Sequence, residues 1–495
     1  MSLATKAAGG FLWASAATIG ARVFTILSTF VLTRYLAPAV QGEVNLAYVL
    51  VATGGAVSTL GVAQFIAAHP KEGRDTAFHG TFLVLLVGGV VCLGCILSAE
   101  PVGLLLNVPG MARYVPGMVI AHYLERCGWV PRALLVREMR FRLAGLRVAL
   151  GELSFAVSSV AFAHAGFGGD AIVGGNIVRS VVGLGFLVVV IDRRDYLLPC
   201  RLSLATMRKI LEFGLPITIA GLFAMGAATW DNSFIGYRFG EATVGIYNQA
   251  YRLADLPTSA IGDHVNDVLV PTFARTPDMA STHRGFFRAA SLMALVVFPM
   301  ALGMGAVAPT MVETFYPESY SGVGPLLIVL AVLSIPRSIG RLAGALVQVL
   351  GRTRVFVAVE LTRVVCVLGF MAALARFGAV WSAGGVIAGY FVALCLTLAA
   401  LGPFGIRLAA VGAALWRPLL ACAPMVGLVL AVRYGVSTLV FRAGFRLVLE
   451  LMAGALGYVG GAFLFAPRES RDMIGLAKSL LRRDESTPAS KPTGA

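Results

Sequence analysis

Apolar stretches of about twenty residues recur along the chain, separated by short polar loops. A helix of that length spans the ~30 Å hydrocarbon core of a bilayer. No water in that core can satisfy a backbone N–H or C=O, so repeated spans of this size leave helices as the structure that fits. The pattern predicts about fourteen transmembrane helices, at 9–33, 44–67, 78–99, 114–134, 148–165, 171–191, 211–230, 244–272, 286–308, 323–349, 355–376, 380–401, 413–432 and 446–466. The alternating ten-residue segments of an outer-membrane barrel are absent. The first span is too long and too weakly bounded for a cleaved signal peptide, and is expected to remain as helix one. The fold class expected is an all-α polytopic membrane protein.

Composition agrees, with 58% hydrophobic and only 13% charged residues, beyond what a soluble domain carries. The 57 glycines suit helices that pack closely in lipid. A net charge of +15 raises the question of nucleic acid. The basic residues are scattered through short loops instead of forming one stripe, so no nucleic-acid partner is expected. Cys92 and Cys95 form a CxxC inside an apolar span without partner ligands, which reads as packing. No clustered His spacing and no GxxxxGK[ST] occur, so no cofactor, metal or ATP site is expected.

Lys and Arg set the orientation. With the N-terminus cytoplasmic, inner loops and tail receive roughly 26 of them and outer loops roughly 7, a bias that the positive-inside rule reads as two cytoplasmic termini. The stretch from Arg468 to Arg483 reads as a basic amphipathic helix lying on the membrane, and 484–495 as a polar disordered end. Outer loops of about a dozen residues at most leave little room for extracytoplasmic chemistry, so the chain is not read as an enzyme.

The sequence also repeats itself. Gly42-Glu-Val-Asn-Leu-Ala-Tyr48 and Gly245-Ile-Tyr-Asn-Gln-Ala-Tyr251 share GxxNxAY. Phe30 and Arg34 match Phe234 and Arg238 upstream, and Pro101 and Pro109 match Pro309 and Pro317 downstream. The copies lie six helices apart, so both halves cross the membrane in the same sense, a parallel repeat about an axis along the membrane normal. The expected organisation is two six-helix lobes, 1–200 and 201–402, around a central cavity, then two additional helices in 403–466 and a basic tail, 467–495. The aligned flanks make duplication the better reading of the match, with shared helix-start chemistry without common function as the alternative.

An ionisable group at mid-membrane costs ~3 kcal/mol or more and asks for a reason. Arg22, Arg179, Arg252, Arg337 and Arg341 fall inside predicted spans, with Asp255 near Arg252 and Glu360 near Arg363. Cations exceed carboxylates in this set. A cationic chamber suits an anion, and guanidinium suits phosphate because it binds in a bidentate fork. Asp255 and Glu360 are candidates for ion coupling; a static counter-ion and a self-neutralising pair are the plainer readings. Arg179 has a plainer reading too, bonded to a neighbouring helix's carbonyls. Pro336 is expected to kink its helix. Glu125 and Arg126 lie near enough to the cytoplasmic end to snorkel. Asn45, Asn248, Gln249, Tyr247 and Tyr251 are candidates for lining a polar cleft or, equally, for packing the lobes together.

Ala133-Leu-Leu-Val-Arg-Glu-Met-Arg-Phe141, Phe213-Gly-Leu-Pro-Ile217, GIYNQAYRLADLP from Gly245 to Pro257, and Val270-Pro-Thr-Phe-Ala-Arg275 carry a resemblance. Over most of residues 1–402 the chain resembles bacterial Wzx-type lipid-linked oligosaccharide flippases of the multidrug/oligosaccharidyl-lipid/polysaccharide exporter superfamily. The resemblance implies transfer of an undecaprenyl-diphosphate-linked oligosaccharide from the cytoplasmic to the periplasmic leaflet of the inner membrane, by ion-coupled alternating access. The product would feed exopolysaccharide, capsule or O-antigen synthesis, with membrane lipid, a polysaccharide polymerase and a chain-length regulator as partners. The family's cavity is cationic, in keeping with Arg22, Arg252 and Arg341. A lipid II flippase handles the same carrier and stays a close alternative. A multidrug/cation antiporter of the same fold calls for intramembrane carboxylates and fits less well, and a membrane glycosyltransferase lacks a loop to work in.

Overall fold

The computed structural model describes residue 20 and residues 24–69, 72–274, 279–436 and 442–475, with the side chains of 259–274 and 353 outside the description. Every regular element among the described residues is a helix. Residues 24–35 form α1. Then come α2 (Pro38–Val57), α3 (Val62–Ala68), α4 (Arg74–Leu105), α5 (Val115–Cys127), α6 (Trp129–Arg137), α7 (Phe141–His164), α8 (Asp170–Val190) and the short α9 (Arg194–Leu197). The second half continues with α10 (Leu204–Phe239), α11 (Glu241–Ala274), α12 (Met279–Phe315), α13 (Val323–Ala331), α14 (Ser334–Val349), α15 (Thr353–Leu374) and α16 (Ala379–Leu401), followed by α17 (Leu408–Val436), α18 (Ala443–Phe465) and helical residues 467–475.

Among the described residues, nine helices are long and apolar enough to cross a membrane, and eleven spans result if two bent pairs each count as one. Each of the fourteen predicted spans has a helical counterpart, although most of the first lies outside the described residues. Large apolar side chains point outward, among them Val189 at 86% exposure and Leu464 at 71%. Such a surface is stable only against hydrocarbon.

The two bent pairs have local causes. Between α2 and α3, Leu60 and Gly61 take the left-handed conformation, which glycine adopts without cost, and the chain turns by 43°. A side chain at Gly61 would meet Gly214 of α10, whose backbone passes 2.5 Å from where that carbon would stand. Between α13 and α14 the bend is 41°. Pro336 lies in the first turn of α14, where its missing N–H leaves no helical bond unmade. The break therefore precedes the proline.

The chain folds into two compact units, one of residues 1–252, 315–326 and 357–389, the other of 253–314, 327–356 and 390–495. In the first, an apolar core forms where α3, α4, α6 and α10 meet, around Phe65, Leu134, Leu135 and Ile210. His79 of α4 ties the segment between α9 and α10 to this core, accepting the Ser203 N–H at 2.8 Å while its other ring nitrogen meets the Asp75 carbonyl. In the second, Phe286, Phe298, Leu342 and Leu346 centre a larger core. Here α17 packs on α18, and a buried ion pair joins them: Glu450, fully buried, lies 3.3 Å from Arg433 and accepts a hydrogen bond from Thr310 of α12 at 2.7 Å.

Candidate functional site

The two copies of GxxNxAY meet within the first unit. A Cβ on Gly42 of α2 would fall 1.9 Å from the Glu241 carbonyl oxygen, and one on Gly245 of α11 would fall 2.0 Å from the Pro38 oxygen. Each glycine thus packs on the carbonyl four residues ahead of its counterpart, a reciprocal approach that only glycine permits at this separation. Three residues on, Asn45 and Asn248 both direct their amide N–H to Asn232 Oδ1 on α10, at 3.0 and 3.4 Å. Asn232 donates to Asp231 at 2.9 Å, and the fully buried Tyr247 donates its hydroxyl to the same carboxylate at 2.7 Å. Gln249 donates to Gln41 across the crossing.

Beside this network lies a pocket of about 160 Å³, lined by α1, α2, α8 and α11 with Phe155 and Met118. A water needs ~10–15 Å³, so the pocket has room for a small anion or a cluster of waters. Its polar lining is Thr25, Thr29, Gln41, Asn45, Tyr48, Asn176, Asn248, Gln249, Arg179 and Arg252. Carboxamides, hydroxyls and two guanidiniums make up this set. Arg252 forms no ion pair among the described residues. Arg179 is 3.3 Å from Glu152 of α7, and Thr25 donates to the other oxygen of that carboxylate at 2.8 Å.

Of the residues predicted from sequence, the structure brings Asn45, Asn248, Gln249, Arg179 and Arg252 to this one pocket. Tyr251 is buried beside Tyr247, ring centroids 5.9 Å apart, and is not among the pocket's lining residues. Arg22 lies outside the described residues. Asp255 and Arg337 are found in the second unit, paired at 2.7 Å with the Tyr390 ring 5.6 Å from the guanidinium. Arg341 is half-buried one turn along α14. Glu360 pairs with Arg363 on its own helix.

Of the site residues that sequence reasoning missed, three bear on its charge and its hydrogen-bond network. Glu152 is a plain carboxylate inside the predicted 148–165 span and was legible there. Asp231 and Asn232 fall just beyond the predicted 211–230 span, because α10 runs on to Phe239. Arg126 corrects an expectation. It is turned into the protein, 7% exposed, donates to His122 at 3.0 Å and stacks over the Trp129 ring at 4.4 Å.

Comparison with known proteins gives this geometry a context. Residues 31–325 match the family described as polysaccharide biosynthesis protein. The lipopolysaccharide biosynthesis protein WzxC of Escherichia coli (strain K12) is 25% identical over 353 residues, covering 71% of this chain and 72% of that protein. Among solved structures, the lipid II flippase MurJ in an inward closed conformation matches with a TM-score of 0.75 at 12% identity, over 94% of this chain and all of that one. An inward-facing multidrug resistance MATE family transporter of the MOP superfamily matches with a TM-score of 0.63 at 19% identity, over 79% of this chain and 96% of that one. These likenesses establish the two-lobe fold of that superfamily. A multi-pass membrane protein with this fold and a family match over more than half its length, the chain belongs to the polysaccharide biosynthesis protein family.

Proposed function

We propose that the chain is a flippase that carries an undecaprenyl-diphosphate-linked oligosaccharide from the cytoplasmic to the periplasmic leaflet of the bacterial inner membrane, supplying exopolysaccharide, capsule or O-antigen synthesis. The observation that carries this reading is the pocket: Arg179 and Arg252, each near the middle of a membrane-length helix, face a ring of carboxamides and hydroxyls. Guanidinium forks bind a diphosphate, and carboxamides and hydroxyls are the groups that hydrogen-bond sugars. The polyprenyl chain stays in lipid. Two halves, 1–200 and 201–402, would alternate access to the site, with 403–466 as an appended helix pair and both termini, including the tail 467–495, in the cytoplasm. In this reading Arg22, Arg337 and Arg341 also serve substrate binding, and Asp255 or Glu360 ion coupling. A polymerase and a chain-length regulator would take up the product. The arginine excess weighs against cation export.

The test is a deletion strain, scored for the amount and leaflet distribution of undecaprenyl-diphosphate-linked oligosaccharide with and without the chain restored. Accumulation on the cytoplasmic face, cleared on restoration, is the expected result, and mass analysis then separates an oligosaccharide unit from lipid II. Unchanged pools would overturn the reading.

A further inference from the structure

Glu152 sits at the centre of α7, level with Arg179 at the centre of α8. The carboxylate engages Arg179 through one oxygen at 3.3 Å and accepts from the Thr25 hydroxyl through the other at 2.8 Å. Of the two pocket arginines, then, one is open to a ligand and one already holds an anion. We propose that Glu152 is a displaceable internal counter-ion: an incoming diphosphate takes its place on Arg179, and the freed carboxylate binds a proton. This rests on the anion-binding reading of the pocket and adds a residue and a linkage to it.

Arg179 cannot serve both anions fully. Its planar fork gains two parallel bonds from a phosphate oxygen pair, whereas Glu152 stands at a single 3.3 Å contact. A diphosphate bridging Arg179 and Arg252 therefore outcompetes the side chain. The displaced carboxylate then lies at mid-membrane depth beside a polyanion, with the Thr25 hydroxyl as its hydrogen-bond donor. An ionised carboxylate so placed neutralises instead of remaining charged. One proton, supplied by the buffer acid of the bulk solution, converts the carboxylate to carboxylic acid, which now donates to the Thr25 oxygen, and the buffer base left behind balances the charge. The other charged and titratable groups near this pair are Arg252 and Tyr48 on the pocket wall, Glu125 of α5 and Arg147 of α7 within electrostatic reach of Arg179, and His122 and Arg126 beside Glu125. Glu125 is the rival proton acceptor. The headgroup keeps its own charge, and the loaded site carries one negative charge fewer than diphosphate and carboxylate together would.

Calorimetry on the purified full-length protein, with inorganic diphosphate as probe, tests this. Titrations in buffers of differing ionisation enthalpy report protons taken up on binding. Wild type should take up about one proton more than Glu152→Gln, the probe's own titration being common to both. Relative to that variant, its Kd should weaken about tenfold per pH unit between pH 6 and 8, as one linked proton requires. Glu125→Gln should retain the linkage. Thr25→Val keeps the carboxylate but removes its hydrogen bond, and should shift the pH profile upward; it serves if Glu152→Gln does not fold. Equal proton uptake in wild type and Glu152→Gln, loss of linkage in Glu125→Gln alone, or an unmoved profile in Thr25→Val overturns the proposal while leaving the anion site standing. Failure of the wild type to bind diphosphate overturns the anion site itself and the proposal with it.

Discussion

A guanidinium at mid-membrane persists where it faces a polar cavity or a carboxylate, and the arginines singled out from sequence divide along that line. Arg252 faces the pocket without an ion pair among the described residues, Arg337 is held by Asp255, and Arg179 does both. Arg252→Ala is expected to reduce polymer export at least tenfold with insertion intact, a loss of about 1.4 kcal/mol or more of headgroup binding. Arg252→Lys should recover part of it, since an ammonium keeps the charge but not the fork. Surface polymer assayed beside membrane levels of the protein decides the matter, and normal export by Arg252→Ala would rule out a diphosphate site there. The glycines at the crossing make a sharper case. Gly42→Ala places a methyl carbon 1.9 Å from a carbonyl oxygen, a distance no packing tolerates, so α2 and α11 must separate. A cysteine at Asn45 should then react with an impermeant thiol reagent faster in the Gly42→Ala background than without it. Equal rates would show that the helices absorb the clash elsewhere.

At the scale of elements, two polar joints fasten helices that apolar contact alone would let slide. Glu450 couples α12, α17 and α18 through Thr310 and Arg433, the latter also donating to the Ala306 carbonyl. Removing one partner of such a pair strands a buried charge, at a cost of about 3–5 kcal/mol. Glu450→Ala should therefore lower the melting temperature of the purified protein clearly more than Glu450→Gln, which can still accept from Thr310. The second joint lies outside the membrane. Glu72, between α3 and α4, pairs with Lys209 of α10, and that hydrogen bond holds its carboxyl below the usual carboxylate range. A carboxyl whose folded value is depressed contributes stability that is complete above the ordinary carboxylate range and is lost as pH falls through the folded value. Glu72→Gln is thus expected to melt below wild type at pH 7, with the difference closing on acidification below about 4. A pH-independent difference would mean that the pair is not the cause. The helices themselves were legible because a twenty-residue apolar run has one solution in lipid. The breaks were less so: a left-handed Leu60–Gly61 pair and the Val332–Leu333 bend leave hydropathy unchanged, and Pro336 drew the predicted kink a turn too late.

For the whole molecule, the sequence carried the site only as far as duplicated or charged positions could mark it. Asn45 and Asn248 stood out because they recur, Arg179 and Arg252 because charge is rare in a span. Asn232, on which the two asparagines converge, has no repeat partner and fell outside its predicted helix, so neither signal reached it. Nor does sequence reveal which arginines are already neutralised, since Glu152 and Arg179 lie on different helices. Orientation is the remaining whole-chain prediction. Alkaline phosphatase fused within the loop at Arg376–Gly378 should be active, and the same enzyme fused after residue 466 inactive; the reverse pattern would invert the transport direction proposed above.

The crossing of α2 and α11 also sets a timetable. Gly42 and Asn45 meet partners about 200 residues later in the chain, so they leave the ribosome long before Asn232, Gly245 and Asn248 exist. At about 5–20 residues per second that delay is on the order of ten to forty seconds. During it a nascent α2 sits in the bilayer with an unanswered amide and an empty groove at Gly42, and a polar group left so exposed to hydrocarbon is a recognisable flaw. A ribosome that stalls before α10 leaves a product that carries this flaw permanently. The internal repeat thus ties the first half's polar and steric needs to a second half that is made only later.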